Sequence, residues 1–99
     1  MGETIRAFTT GSDTYDWRAV FADNGAYVCD IRLSISSMLT GSRYYVLSDD
    51  RGVKEGTFKF QLWDLETIRE TVTAILRSMY ADANVVVELP SPPSRAAGT

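Results

Sequence analysis

Between Tyr27 and Ile35, a set of apolar side chains alternates with a set that is mostly polar. This period of two is typical of a β-strand with one buried face and one wetter face. The alternation predicts two sets of side chains: Tyr27, Cys29, Ile31, Leu33 and Ile35 on one face, and Val28, Asp30, Arg32 and Ser34 on the other. The chain should therefore have one sheet face that builds a core and one that remains available for contacts.

Four further strands are predicted before residue 63, at residues 4–10, 17–22, 43–48 and 53–62. The residues Asp23-Asn24-Gly25 favour a tight hairpin turn, because asparagine and glycine tolerate a positive φ. Asp49-Asp50-Arg51-Gly52 is also typical of a turn, since aspartate bonds to its own backbone and glycine frees φ. Gly56 within the fifth strand indicates a bulge or a close approach of another group.

The hydrophobic period then changes to that of an amphipathic helix. Its apolar stripe consists of Leu65, Ile68, Val72, Ile75, Leu76 and Met79. Asp64 is placed to cap this helix, because its carboxylate can accept from the unpaired amides of the first turn. A sixth strand is predicted at residues 85–89, where Pro90 stops it.

These elements predict an α+β fold with the order β-β-β-β-β-α-β. Short connections favour an antiparallel sheet of five to six strands, and the helix should pack across one face of it. Residues 1–90 would form a single domain, and residues 91–99 a disordered C-terminal tail. The position of the sixth strand, at an edge or inside the sheet, is left open.

Composition favours a soluble cytoplasmic protein. The chain has 99 residues and a formal charge of −3, which disfavours generic binding to nucleic acids or anionic membranes. A single cysteine argues for a reducing compartment. We also expect no secretory signal and no membrane span, since no apolar stretch is long enough for either.

Several kinds of chemistry are disfavoured, so we expect no enzyme and no cofactor or metal. There is no histidine, which removes the usual base for a serine or cysteine nucleophile. Cys29 alone cannot build a zinc site, and we interpret it as core packing. A carboxylate enzyme using Asp13, Asp16 or Asp49 is a minor alternative, for which no catalytic pattern is present.

The uncovered sheet face is the candidate site. If Tyr27 and Phe58 face the helix, the other face carries Arg18, Val20, Val28, Asp30, Arg32, Tyr45, Leu47, Thr57 and Lys59, with Arg43 joining if Tyr45 does. The face then has four positive charges, from Arg18, Arg32, Arg43 and Lys59. Asp30 and Glu55 contribute two negative charges, so its formal charge is +2. The candidate partner-binding residues are therefore Arg18, Arg32, Arg43, Tyr45 and Lys59.

We consider two functions for this face beside an ordinary solvent-exposed exterior. The first is a small non-enzymatic protein-binding module, such as an inhibitor, an immunity-type protein or an accessory subunit. Phage-encoded inhibitors of bacterial defence are similar stand-alone acidic domains. The module would act through the open face or an edge strand, on another protein or on a second copy of itself.

The second function is single-stranded nucleic-acid binding on the same face. A strand meander followed by a helix resembles single-stranded-DNA-binding coactivator domains, whose sheets hold nucleic acid. On this hypothesis Tyr45 would stack on a base, and Arg18, Arg32, Arg43 and Lys59 would neutralise phosphates. The acidic chain as a whole disfavours this second function.

Overall fold

The computed structural model describes residues 2–11, 13–35, 43–58 and 64–90. Six strands and one helix occur in the predicted order, and their bounds are β1 Thr4–Thr9, β2 Asp16–Phe21, β3 Tyr27–Ile35, β4 Arg43–Asp49, β5 Gly52–Thr57, α1 Leu65–Met79 and β6 Asn84–Glu88. Within the described ranges, no helix is both long enough and apolar enough to cross a bilayer. The predicted tail at residues 91–99 lies outside those ranges.

The six strands form one sheet in the order β5-β4-β3-β2-β1-β6. Strands β1 to β5 are an antiparallel meander, as predicted. Strand β6 pairs with β1 in the parallel direction and lies at one edge. The α+β prediction is thus confirmed, with a sheet that is mixed but mostly antiparallel.

Helix α1 begins where its cap was predicted, because the Asp64 carboxylate accepts a 2.8 Å hydrogen bond from the Thr67 amide. Its buried stripe is Ile68, Val72, Ile75 and Leu76. These side chains pack against the apolar residues of β1 to β4, namely Ile5, Ala7, Trp17, Ala19, Val28, Cys29, Ile31, Leu33 and Leu47. Burial of apolar side chains from helix and sheet together supplies the main stabilising free energy of the fold.

Both predicted turns occur and both use glycine at a positive φ. Gly25 has a φ of 73°, and its amide donates to the Phe21 carbonyl at 2.7 Å. Gly52 has a φ of 145°. The Asp49 carboxylate accepts from the amides of Arg51 and Gly52 at 2.8 and 3.1 Å, which fixes the β4–β5 turn.

A β-bulge in β3 interrupts the predicted alternation. Ala19 is paired with Cys29, but the next residue of β2, Val20, is paired with Tyr27, so Val28 is an extra residue. Such an insertion shifts the following side chains to the other face. Val28 is consequently buried in the core, whereas Tyr27 lies on the face away from the helix, the reverse of the predicted placement.

Gly56 is explained by a cross-strand aromatic ring. It is opposite Tyr45 in the β4–β5 pair. A Cβ atom added at Gly56 would lie 2.5 Å from the Tyr45 hydroxyl oxygen and 2.6 Å from Cζ. The ring therefore lies over the glycine, which is the close approach predicted there. Strand β5 ends at Thr57, and residues 59–62 of the predicted longer strand lie outside the described ranges.

Two ionisable side chains meet in the core without carrying charge at neutral pH. Cys29 is fully buried, and the partly buried Tyr80 packs against the same core. Burial raises the pKa of the Cys29 thiol to about 11. Burial and, to a smaller extent, the nearby Cys29 thiol together raise the pKa of the Tyr80 hydroxyl to about 12. Both groups thus stabilise the fold only while they hold their protons.

We expect Gly56→Ala to destabilise the protein by about 1–3 kcal/mol, because the new methyl group displaces the Tyr45 ring. In a Tyr45→Ala background the same substitution should be neutral or stabilising, since alanine is less flexible than glycine. Urea denaturation of the four proteins measures both effects. Gly11→Ala is the control, because its Cβ would meet only Asp13 Oδ1, at 4.0 Å. Equal effects of Gly56→Ala in both backgrounds would contradict the ring contact.

Alkaline pH should remove stability through Cys29. Its pKa is about 11 in the fold and 9.0 in an exposed reference thiol, so this contribution is complete below pH 9.0 and is lost as the pH approaches 11. The unfolding free energy of Cys29→Ala should therefore fall less steeply over this interval than that of the wild type. Urea titrations at successive pH values measure the two slopes, and identical slopes would exclude a buried neutral thiol.

Candidate functional site

The face of the sheet opposite α1 is called the open face. Cross-strand pairing places on it Arg6, Phe8, Asp16, Arg18, Val20, Tyr27, Asp30, Arg32, Ser34, Tyr44, Val46, Ser48, Val53, Glu55, Thr57, Val86 and Glu88. Tyr27, Val53 and Val86 retain 46%, 62% and 50% of their exposure. No helix of the described chain packs on this side, so one large surface crosses all six strands.

A three-residue cluster lies near the centre of the open face. Arg18 and Asp30 are directly opposite each other in β2 and β3. Arg18 Nε donates to Asp30 Oδ1 at 2.9 Å and Nη2 to Oδ2 at 3.4 Å. The Tyr27 hydroxyl lies 3.1 Å from Asp30 Oδ2 and 3.2 Å from the Ser48 carbonyl oxygen, and its ring centroid is 5.6 Å from the guanidinium carbon.

The cluster changes the protonation equilibria of its members. Asp30 raises the pKa of the Arg18 guanidinium, first through their hydrogen bond and then through its charge. Partial burial raises the pKa of Tyr27, and the hydrogen bond to Asp30 raises it further. Both shifts keep the protonated donors in place around one carboxylate. The bulge at Val28 is what brings Tyr27 to this side.

Two further arginines of the open face are also paired with carboxylates. Arg32 Nη1 lies 3.0 Å from Asp16 Oδ1, and the two residues are opposite each other in β3 and β2. Arg6 Nε lies 2.5 Å from Glu88 Oε2 across the β1–β6 pair. These pairs are half exposed, so they fix side-chain orientation more than they add stability.

The charge of the open face differs from the sequence prediction. Its described residues include three arginines, all ion-paired, against the carboxylates of Asp16, Asp30, Glu55 and Glu88. The formal charge of these described residues is therefore −1, whereas the predicted +2 counted Arg43, which lies on the helix side, and Lys59, which lies outside the described ranges. A charge-balanced surface attracts a polyanion less than a basic surface does.

A shallow groove of about 340 Å³ lies beside the central cluster. Its walls are formed by Thr10, Asp16, Trp17, Arg18, Asp30, Ile31, Arg32, Val46 and Ser48. The two Arg–Asp pairs form the polar part of this wall. Their side chains are already held in one geometry, so a side chain entering the groove would meet preorganised donors and acceptors.

The structure brings only some of the predicted site residues together. Arg18 and Arg32 lie on the open face, as predicted, and they line the same groove. Tyr45 pairs with Leu33 of the core and Arg43 with Ile35, so both belong to the helix side. Their predicted placement was wrong. Lys59 lies outside the described residues.

The wrong placements of Tyr45 and Arg43 have one cause: the prediction assigned the alternating side chains of β4 to the wrong faces of the sheet. Leu47 was also expected on the open face, but it pairs with Ile31 and is fully buried. Tyr44, on the open face, and Tyr45 are adjacent aromatic residues. Side chains alternate along a strand, but alternation does not state which member faces the core. The apolar character of Leu47 was the signal that could have fixed the phase.

Sequence reasoning also missed several residues of the open face, among them Tyr27, Arg6 and Glu88. Tyr27 reaches it through the bulge, Arg6 through β1, and Glu88 through the parallel pairing of β6. The three consecutive apolar residues Tyr27, Val28 and Cys29 were a local sign of the bulge in β3, whereas the pairing of β1 with β6 joins residues about eighty positions apart in the chain. Arg6 lies between the apolar residues Ile5 and Ala7 in β1, and this alternation could have placed it on the open face.

The carboxylates considered for acid–base chemistry are held in local structure. Asp13 Oδ1 accepts from the Tyr15 amide at 2.9 Å, and Asp49 accepts from the turn amides. Asp16 is paired with Arg32. Across the described ranges, no three cysteine or carboxylate side chains come together in a geometry that could hold a metal ion.

Comparisons of this chain with protein-family models, with curated proteins and with solved structures found no match. The open face and its chemistry are therefore the basis for any functional proposal.

We expect Asp30→Asn to lower the pKa of Tyr27 part of the way to the ordinary tyrosine value. The substitution removes the carboxylate charge but leaves the partial burial that raises this pKa most. Nuclear magnetic resonance of the tyrosine Cζ, assigned with Tyr27→Phe, measures the change. Asp16→Asn is the matched control, because it removes the other aspartate pair of the groove. An unchanged Tyr27 titration in Asp30→Asn would contradict the cluster.

Proposed function

We propose that this chain is a small non-enzymatic protein-binding module, an inhibitor or accessory subunit, whose contact surface is the open face. The observation that carries the proposal is the uncovered face itself, on which Tyr27, Val53 and Val86 remain about half exposed. Single exposed apolar residues are ordinary, but a surface that combines them with tyrosine and arginine has the composition of a protein interface.

The arrangement of the arginines supports a protein partner over a nucleic acid. Arg18 and Arg32 are each held by an aspartate, and Tyr27 is held by Asp30. Rigid Arg and Tyr side chains lose little entropy on binding and often dominate protein interfaces. A phosphate backbone would instead have to displace these carboxylates, at a cost in their hydrogen bonds.

The proposed contact is centred on the groove. Arg32, whose side chain is 66% exposed, lies at its rim with Asp16. A partner side chain entering the groove could bond both Arg32 and the central cluster without changing their pairing. The contact should therefore depend on shape and local hydrogen bonds, and only weakly on ionic strength.

We expect Arg32→Ala and Tyr27→Ala each to weaken partner binding by about tenfold or more, as interface hot spots do. The partner is first captured from lysate of the native host on the immobilised chain and identified by mass spectrometry. Titration calorimetry with the purified partner then compares wild type, both variants and Arg51→Ala. Arg51 is exposed in the β4–β5 turn and lines a groove with Met79, away from the open face, so its substitution should leave the affinity unchanged.

Two results would reject this proposal. One is a captured protein that binds both open-face variants with wild-type affinity. The other is binding of a labelled single-stranded oligonucleotide that collapses between low and moderate salt, which is the behaviour of a nucleic-acid-binding protein.

A further inference from the structure

Strand β6 presents a second surface, at the edge of the sheet. In the described part of the chain it pairs on one side only, with β1. Its centre is Val85-Val86-Val87, whereas the opposite edge, β5, carries Lys54 and Glu55. Charged residues protect an edge from pairing with another strand, and a run of valines favours it.

Backbone geometry determines which groups of β6 face outward. The Asn84 amide donates to the Glu3 carbonyl at 2.9 Å, so Asn84 is directed toward β1. Hydrogen-bonding groups alternate in direction along a strand, which directs Val86 and Glu88 toward β1 as well. The N–H and C=O groups of Val85 and Val87 therefore point away from the sheet.

A groove of about 590 Å³ lies between β6 and the helix on the side facing α1. Its strand wall is formed by the three valines, and its helix wall by Glu66, Arg69, Glu70, Thr73, Ala74 and Arg77. The groove has an apolar floor and a charged rim, and it follows the three central residues of β6. An added strand would extend the sheet along this floor.

The charges of the helix wall are divided along its axis. Glu66 and Glu70 lie toward the start of α1, and Arg77 lies in its last turn. Arg69 is hydrogen-bonded to Glu66 within the helix. Among the described residues, Glu70 and Arg77 have no ion-pair partner. Two such helices placed side by side in opposite directions would bring acidic residues of one level with Arg77 of the other.

We propose that β6 pairs with β6 of a second copy of this chain, antiparallel, about a two-fold axis through Val86. This register places Val86 opposite Val86 and Val85 opposite Val87. The outward groups of Val85 and Val87 then exchange four backbone hydrogen bonds, because both members of each pair point toward the partner. The same axis sets Glu70 and Arg77 of the two helices against each other.

A single interface would thus pair the outward backbone groups of β6, cover the groove and bring the opposite charges of the two helices together. A self-complementary patch of this kind is what a two-fold dimer requires. The dimer would join two six-stranded sheets into one, with the two open faces side by side. That second consequence rests on the proposed function, since it makes the module bivalent toward its partner.

Solution mass tests the dimer directly. Sedimentation velocity should give twice the 11.0 kDa of the chain for the wild type. Val86→Lys should raise the dissociation constant of the dimer by about tenfold or more, because it sets like charges opposite each other. Val53→Lys is the matched control: Val53 lies on the same face of the other edge strand and should leave the dimer intact.

A cysteine at position 86 tests the register. Residues opposite each other at a non-hydrogen-bonded antiparallel position have Cα atoms about 4.5 Å apart, within the range that a disulfide spans. Val86→Cys should therefore form a covalent dimer under mild oxidation. Val53→Cys should remain unlinked, and the native Cys29 is fully buried. Val86 is half exposed, so neither substitution there should unfold the chain, which circular dichroism verifies.

Charge exchange tests the helix contact. Glu70→Arg and Arg77→Glu should each weaken the dimer, and the double variant should recover it, because the pairing is restored in the opposite sense. A wild-type monomer, a Val86→Lys dimer of undiminished affinity, or cross-linking through position 53 instead of 86 would each overturn the proposal. None of these results bears on Arg32→Ala, so failure of the dimer and failure of partner binding are distinguishable.

Discussion

One amphipathic helix has a single apolar stripe, and a sheet has two faces. The burial of Ile68, Val72 and Leu76 against the middle strands therefore decides which side of this sheet becomes a core. Every other feature follows from that choice. The helix side collects Trp17, Ile31 and their neighbours, while the opposite side stays exposed to solvent and carries the polar side chains of the sheet.

On the open face, arginine and aspartate side chains form cross-strand ion pairs. Arg18 with Asp30 and Arg32 with Asp16 are register partners, so the pairing of β2 with β3 that builds the core also builds the polar cluster. The bulge at Val28 adds the aromatic member. A residue inserted into the strand places Val28 in the core and Tyr27 over Arg18, linking a packing feature to the proposed contact surface.

The two proposals use different parts of one geometry. Partner binding is assigned to the open face, where Arg32 and Tyr27 are held by carboxylates. Self-association is assigned to the β6 edge, where the outward backbone groups and the helix charges are self-complementary. A dimer at that edge leaves the groove beside Arg18 uncovered, so both contacts can form on one molecule at the same time.

The sequence by itself determined the elements whose signals are local. Helical periodicity, the Asp64 cap and the turns at Gly25 and Gly52 depend on neighbouring residues, and they were predicted correctly. Arg18 and Arg32 were also placed on the open face, because their strands alternate cleanly there. Only the tertiary structure decided the phase of Tyr45, the bulge, and the parallel pairing of β6. Those features depend on register between strands distant in the chain, and a period of two states that side chains alternate without stating which face each one takes.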